Sequence, residues 1–135
     1  MTMPNLIAGA GVPFTYCFPP NNTVFTLAAN QLVLNQVVPI FTQAEFLWRG
    51  LMFVSTGAFS IRIQDGEQFY LSEDLVPSVS LPHSAGDPFM WEPNVPYPAG
   101  GKILIDLQDT SGAPNSIQLA FIGENKYRLR LSRAA

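Results

Sequence analysis

The sequence predicts an all-β protein, a single antiparallel sandwich or jelly roll of about seven to nine strands that follows an extended N-terminal arm. Apolar residues alternate with period two in short runs, which is the pattern of half-buried strands. The 12 prolines and 10 glycines are spread along the chain, and turn residues bound these runs. No run has a helical period of convincing length. These three observations favour strands over helices throughout.

The length and composition limit the possible classes of protein. At 135 residues there is room for one domain, which we assign to residues 12–135, with residues 1–11 as the arm. The chain is 47% hydrophobic and 13% charged, which argues against disorder, because disordered chains are poor in apolar residues and rich in charge. A net charge of −3 gives no case for a nucleic-acid partner. Low charge with high apolar content indicates large contacts with other proteins.

The N-terminal third of the chain is free of charge. Glu45 is the first acidic or basic residue. A solvated surface normally mixes both signs of charge, so this stretch predicts contact with protein rather than water. It is too often interrupted by proline for a membrane span, which needs roughly 20 apolar residues, and it lacks the positive start of a signal peptide. Within the arm, Leu6 and Ile7 are the expected contacts with other subunits.

The first half of the chain contains five predicted strands. They cover Val12–Phe18, Thr23–Leu27, Gln31–Ile40, Phe46–Ser55 and Ala58–Gln64. The third is apolar almost throughout, which predicts a strand that is covered on both faces. The first is expected to form an edge that receives or donates a strand between subunits, through Val12, Phe14, Tyr16 and Phe18.

The centre of the chain predicts a three-stranded meander. Phe46, Trp48, Met52 and Val54 alternate on one face of the fourth strand. A tight turn at Thr56-Gly57 is expected to pair this strand with the fifth, whose inner residues are Phe59, Ile61 and Ile63. A second turn at Asp65-Gly66 leads into a third run, Gln68–Leu71.

The second half is less regular. Ser72–Gly101 contains six prolines and is interpreted as a long connection, in which a short strand at Pro88–Glu92 is an option. Lys102–Gln108 alternates, with Ile103, Ile105 and Leu107 on one face. Ser116–Ile122 is a further strand, Gly123-Glu124-Asn125 a turn, and Lys126–Leu131 the last strand.

Few residues are suited to catalysis, so no enzymatic activity and no cofactor are expected. The single histidine, His83, has Ser84 and Asp87 beside it, but neighbours in one loop do not make a catalytic triad. The single cysteine, Cys17, lies in an alternating run and is interpreted as a strand residue. One histidine and one cysteine argue against zinc. The acids Asp65, Glu67, Glu73 and Asp74 leave calcium open, although their spacing is not that of the twelve-residue calcium loop.

Two further groups of side chains are candidate contact residues. Phe89, Trp91 and Tyr97 lie in the proline-rich connection, where they are suited either to stack on a glycan or to anchor the loop to a neighbouring subunit. The last strand carries basic side chains on one face, Lys126, Arg128, Arg130 and Arg133. That face is interpreted as a charged edge that prevents sheet pairing, with an acidic patch on a neighbouring subunit as the alternative partner.

Several segments resemble small virion structural proteins of tailed bacteriophages. They are Leu27–Gln31, Asn35–Gln36, Ala44–Gly50, Thr56–Ile63, Pro98–Gly101 and Asn115–Gly123. In size and character the chain is most similar to capsid cement, or decoration, proteins with jelly-roll folds. The arm lies outside the resemblance.

The resemblance implies a non-enzymatic shell component on the outside of the capsid. Its partners would be the major capsid protein and copies of itself, as a homodimer or homotrimer. The lone cysteine and the missing signal peptide suit assembly in the cytoplasm of a bacterial host. Two alternatives remain: a tail or head-fibre module that binds a host glycan, and a tail, collar or head-completion component.

Overall fold

The computed structural model describes residues 11–21, 23–80 and 89–127. For residues 89–93 it describes the backbone alone. Within these residues, two antiparallel sheets pack against each other as a β-sandwich. The predicted fold class is therefore confirmed.

The first sheet has five strands. They are β1 (Val12–Phe18), β2 (Phe25–Leu27), β4 (Ala44–Ser55), β7 (Phe89–Tyr97) and β9 (Asn115–Tyr127). Their order is β1-β9-β4-β7, and β2 pairs with β9 beyond the end of β1. The long strand β9 therefore supports both N-terminal strands along one side and β4 along the other.

The second sheet has four strands. They are β3 (Leu32–Pro39), β5 (Phe59–Ile63), β6 (Val76–Pro77) and β8 (Lys102–Asp109). Their order is β3-β8-β5-β6, and a short 3₁₀ turn, Ser78–Ser80, follows β6. Strand β3 thus lies at one end of this sheet, as β1 does in the first.

Side chains from both sheets form one hydrophobic cluster. Phe46, Trp48 and Phe121 contribute from the first sheet, and Phe59 and Ile105 from the second. The rings of Trp48 and Phe121 lie 5.4 Å apart, within the range of favourable aromatic contacts. Burial of each such side chain stabilises the fold by about 1.5–3 kcal/mol. This core, rather than any local propensity, holds the two sheets together.

The sequence predicts several elements correctly. Strand β1 has the predicted bounds, Val12–Phe18, because Pro19 and Pro20 follow it directly. Strands β5 and β8 lie within one residue of their predicted bounds. The residues predicted to face inward on β5 are all buried, namely Phe59, Ile61 and Ile63. The three residues predicted to share one face of β8 are buried as well, namely Ile103, Ile105 and Leu107.

The predicted inner face of β4 is wrong in its second half. A β-bulge between Trp48 and Gly50 interrupts the register of β4 with both of its neighbours. The extra residue shifts the alternation, so Leu51 is buried while Val54 is 68% exposed. Met52, which was also predicted to lie on the face of Trp48, is half-buried on the outer side.

The predicted meander is also wrong, because β4 and β5 lie in different sheets. The Thr56-Gly57 turn is a corner between the sheets. Its backbone binds β9 instead of closing a hairpin: Thr56 N donates to Ser116 O at 3.1 Å, and Gly57 N to Asn115 Oδ1 at 3.1 Å. The Asp65-Gly66 turn does reverse the chain, but the run after it forms one isolated bridge, Gln64 to Tyr70, rather than a strand.

Two segments predicted as irregular are strands. In Ser72–Gly101, the optional short strand at Pro88–Glu92 is the first part of the nine-residue β7, Phe89–Tyr97. This strand accepts Pro93 and Pro96 because it is the edge strand of its sheet. The predicted turn Gly123-Glu124-Asn125 lies inside β9. Gly123 is required there by close approach: a Cβ atom at this position would collide with the Leu47 carbonyl beside the β4 bulge.

Candidate functional site

Strands β1 and β3, the end strands of their sheets, lie side by side on one side of the sandwich. The segment that follows β3 contacts β1: the backbone N–H of Phe41 donates to Tyr16 Oη at 3.0 Å. The Phe41 ring also packs on Phe14 and Tyr16, with centroids 5.0 and 5.3 Å away. Burial raises the pKa of the Tyr16 phenol above its ordinary value, so the phenol stays neutral. We call β1, β3 and Phe41 the uncharged side, since none of these residues is charged.

The uncharged side exposes several large apolar side chains. Val12, Leu32, Leu34, Val37 and Phe41 are each between 43% and 53% exposed. The prediction that β3 is covered on both faces is therefore wrong for the single chain: Val38 faces the core, but the opposite face has no cover among the described residues. The sequence could not predict this exposure. A strand that is apolar on both faces shows that both are suited to burial, but not whether the second face is covered by the same chain or by a partner.

A bulge fixes the conformation of β3. The register with β8 shifts between Val33 and Gln36, and Asn35 has a φ of 56°, which asparagine tolerates better than most residues. The Asn35 backbone N–H donates to Asp106 Oδ1 at 2.9 Å. The carboxylate of β8 thus replaces a partner that the strand ladder lacks at this point.

Asp106 is buried and is held by a second contact. Arg62 Nη2 lies 3.2 Å from Asp106 Oδ2, and the two residues are cross-strand partners in β5 and β8. The Tyr70 ring covers the guanidinium at 3.8 Å from its centroid, which is a cation–π arrangement. These contacts satisfy the buried carboxylate, so it serves to hold the bulge rather than to bind a ligand.

The predicted contact residues of β1 divide into two groups. Val12 is exposed and Phe14 is half-buried, so both remain on the surface. Tyr16 and Phe18 are each 6% exposed and belong to the core of their own chain. Their predicted contact with another subunit is corrected accordingly, since alternate residues of a strand face opposite sides. Four predicted contact residues lie outside the described residues: Leu6, Ile7, Arg128 and Arg130.

The three aromatics that were predicted to share a loop do not do so. Tyr97 is fully buried at the end of β7, and its hydroxyl donates to Gln64 O at 2.6 Å. Burial also raises the pKa of this phenol. Tyr97 is therefore a core residue and is not available to a glycan. Phe89 and Trp91 are part of the β7 backbone, but their side chains lie outside the described part of the molecule.

An acidic cleft of about 560 Å³ lies beside the end of β7. Glu45, Asp65 and Glu67 line it together with Val95 and Pro96. Asp65 Oδ1 already accepts hydrogen bonds from the N–H groups of Glu67 and Phe69, at 2.9 Å each. This carboxylate stabilises its own turn. Three exposed apolar residues also follow this turn, Phe69, Tyr70 and Leu71, but acids flank them on both sides, Glu67 before and Glu73 and Asp74 after.

Other candidate chemistry is sparse in the described residues. Within the ranges that the structure describes, no group of three or more His, Cys, Asp or Glu side chains is placed to hold a metal ion. Cys17 is exposed in a shallow groove of about 340 Å³ with Met52 and Val54. His83 lies outside the described residues. No helix in the described part of the chain is long and apolar enough to cross a membrane.

Comparisons with protein-family models, with curated proteins and with solved structures found no match to this chain.

Proposed function

We propose that this chain is a non-enzymatic structural protein of a phage virion, a capsid decoration protein that binds the outside of the head and ties capsomers together. The uncharged side is the observation that carries the proposal. A lone subunit would leave its apolar side chains in water on two adjacent open sheet edges, which is a liability unless a partner covers them. That the partner is a phage capsid is inferred from the sequence resemblance to capsid decoration proteins.

The mechanism is burial of surface, repeated over many copies. Each apolar side chain that a partner covers contributes up to about 1.5–3 kcal/mol, and each 1.4 kcal/mol of binding free energy is about a tenfold change in affinity. A shell presents the same site many times, so a subunit that bridges two capsomers gains further through multivalency. Bridging of this kind would resist the internal pressure of packaged DNA.

Glycan binding has less support. It relied on three aromatic side chains, and Tyr97 is buried in the core. Binding of the chain to host glycans rather than to heads in the test below would favour this alternative.

The test is co-sedimentation with heads of a phage that encodes the chain, prepared from a mutant that lacks it. We expect the wild type to bind heads saturably. Deletion of residues 1–11 and the substitution Val12→Glu should each weaken binding at least tenfold, because they remove or charge the apolar contact. Val54→Glu, on the outer face of the first sheet, is the matched control and should bind as the wild type does.

All three variants are expected to fold, because residues 1–11 precede β1, which begins at Val12, and because Val12 and Val54 are exposed. Thermal unfolding of each variant checks that it is folded. Absence of wild-type binding to heads, or binding to tails or host glycans instead, would reject the decoration role.

A further inference from the structure

The open edge of β3 is the least protected strand edge of the described residues. Among the strands of the described residues, β3 pairs with β8 on one side and is hydrogen-bonded to none on the other. Natural proteins protect such an edge with charged side chains, prolines, bulges or covering loops, because unpaired N–H and C=O groups accept another strand. Strand β3 carries no charge, and its single proline, Pro39, is its last residue. Its bulge is confined to Leu34 and Asn35, between the paired residues Val33 and Gln36.

The other edges differ in this respect. Strand β7 contains Glu92 and two internal prolines, Pro93 and Pro96. Strand β6 has two residues and ends in a proline. Strand β1 is also uncharged, but Phe41 packs along its Phe14 and Tyr16 rings, and Val12 is its one large apolar side chain that is about half exposed. The long, uncharged edge with exposed apolar residues is thus β3, where Leu32, Leu34 and Val37 are about half exposed.

The chemistry of this edge suits a second copy of itself. Strands related by a two-fold axis run antiparallel and place the same set of residues against each other. A charge near the axis would then lie close to its own copy, which is destabilising, and β3 carries no charge. Asn35 and Gln36, at the centre of the strand, carry amides that both donate and accept hydrogen bonds, so they complement their own copies.

We propose that β3 pairs antiparallel with β3 of a second copy, which joins two four-stranded sheets into one continuous eight-stranded sheet and forms a homodimer. Backbone hydrogen bonds on either side of the bulge provide the pairing, and Leu32, Leu34 and Val37 bury apolar surface against the second copy. A stable interface buries about 800 Å² on each partner. One strand supplies part of that area, and Phe41, which follows the strand and is 43% exposed, supplies more. The dimer is independent of the proposed capsid role.

The test is sedimentation equilibrium of the purified full chain over a range of micromolar concentrations. The wild type should be a dimer of 14.8 kDa subunits. Two double variants, Leu34→Lys/Val37→Lys and Leu34→Glu/Val37→Glu, should each dissociate at least ten times more readily, because like charges then meet across the axis. An equimolar mixture of the two should recover the dimer, since charges of opposite sign then lie near each other across the axis.

The control is Val54→Lys, which adds a charge at a more exposed position on the other sheet and should leave the dimer intact. Circular dichroism of the separate variants would establish that they are folded, and recovery on mixing is itself evidence of folded partners. A wild type that is monomeric at every concentration, a trimer, or a dimer that is insensitive to charge on β3 would overturn the proposal. A monomer that nevertheless binds phage heads would overturn the dimer and leave the decoration role standing.

Discussion

Trp48 is the best test of the core at the scale of single residues. Its side chain is 2% exposed, and its indole Nε1 donates to Gly50 O at 2.7 Å. We expect Trp48→Ala to lower the free energy of unfolding by about 3–5 kcal/mol, because it leaves a large cavity between the sheets. Urea denaturation measures this change.

The matched control lies six residues along the same strand. Val54 alternates with Trp48 in the sequence but is 68% exposed, so Val54→Ala should change stability by no more than about 0.5 kcal/mol. A cost for Val54→Ala as large as that for Trp48→Ala would mean that β4 has no bulge.

The same pair of residues marks the limit of inference from sequence at this scale. Alternation places Trp48 correctly, because its local period matches the pleat of the strand. It fails for Val54 since the bulge arises from pairing with β9, which is remote in sequence. Tyr97 was likewise missed: its neighbouring prolines indicate a loop, whereas the core that buries its ring comes from other segments.

At the scale of elements, Gly123 decides how β4 and β9 meet. A side chain there would collide with the backbone of Leu47, next to the bulge. We therefore expect Gly123→Ala to destabilise the fold by about 1–3 kcal/mol through displacement of β4. The midpoint of thermal unfolding measures the effect, with Ala120→Ser, on the outer face of the same strand, as the control. An unchanged midpoint for Gly123→Ala would contradict the register of these strands.

Gly123 also explains why β9 was divided in two by the prediction. Gly-Glu-Asn is a common turn composition, and nothing local distinguishes a glycine in a turn from one that admits a neighbouring backbone. Strand β1, in contrast, was predicted with its bounds because its signals are local: alternation, followed by two prolines. Strand β3 was located well, but its exposed face depends on what lies beside it.

At the scale of the whole molecule, the uncharged N-terminal third predicts contact with protein, and the fold gathers its β1 and β3 strands on one side. Composition could predict that such a surface exists, but not its shape, because shape depends on which strands end up at the sheet edges. The arm, Met1 to Gly11, apart from Gly11 itself, lies outside the described residues, and its role in binding stays a prediction.

One carboxylate connects the two sheets at the end of the sandwich. Asp109 of β8 accepts five hydrogen bonds, from Asn30 N, from the N and Oγ of Ser111, from Gly112 N and from the Asn115 side chain of β9. The Ser111 hydroxyl, followed by Asn30 N–H, holds the pKa of this carboxyl well below its ordinary value of 3.8. Because donors surround both oxygens, the ionised form is favoured in the folded state.

The depressed pKa predicts how the stability of the whole fold depends on pH. A group whose pKa is lower in the folded state contributes its full stabilisation above its unfolded pKa, here 3.8, and loses it as the pH falls toward the folded value. Asp109→Asn should therefore unfold at a lower urea concentration than the wild type near neutral pH, and the difference should shrink as the pH drops below 3.8. Asp74→Asn is the control, because that exposed carboxylate accepts from the N–H of the adjacent Leu75 and, in the described part of the chain, joins no distant segments. A difference between the wild type and Asp109→Asn that stays constant down to the acid unfolding of both proteins would mean that the charge of Asp109 does not stabilise the junction of the two sheets.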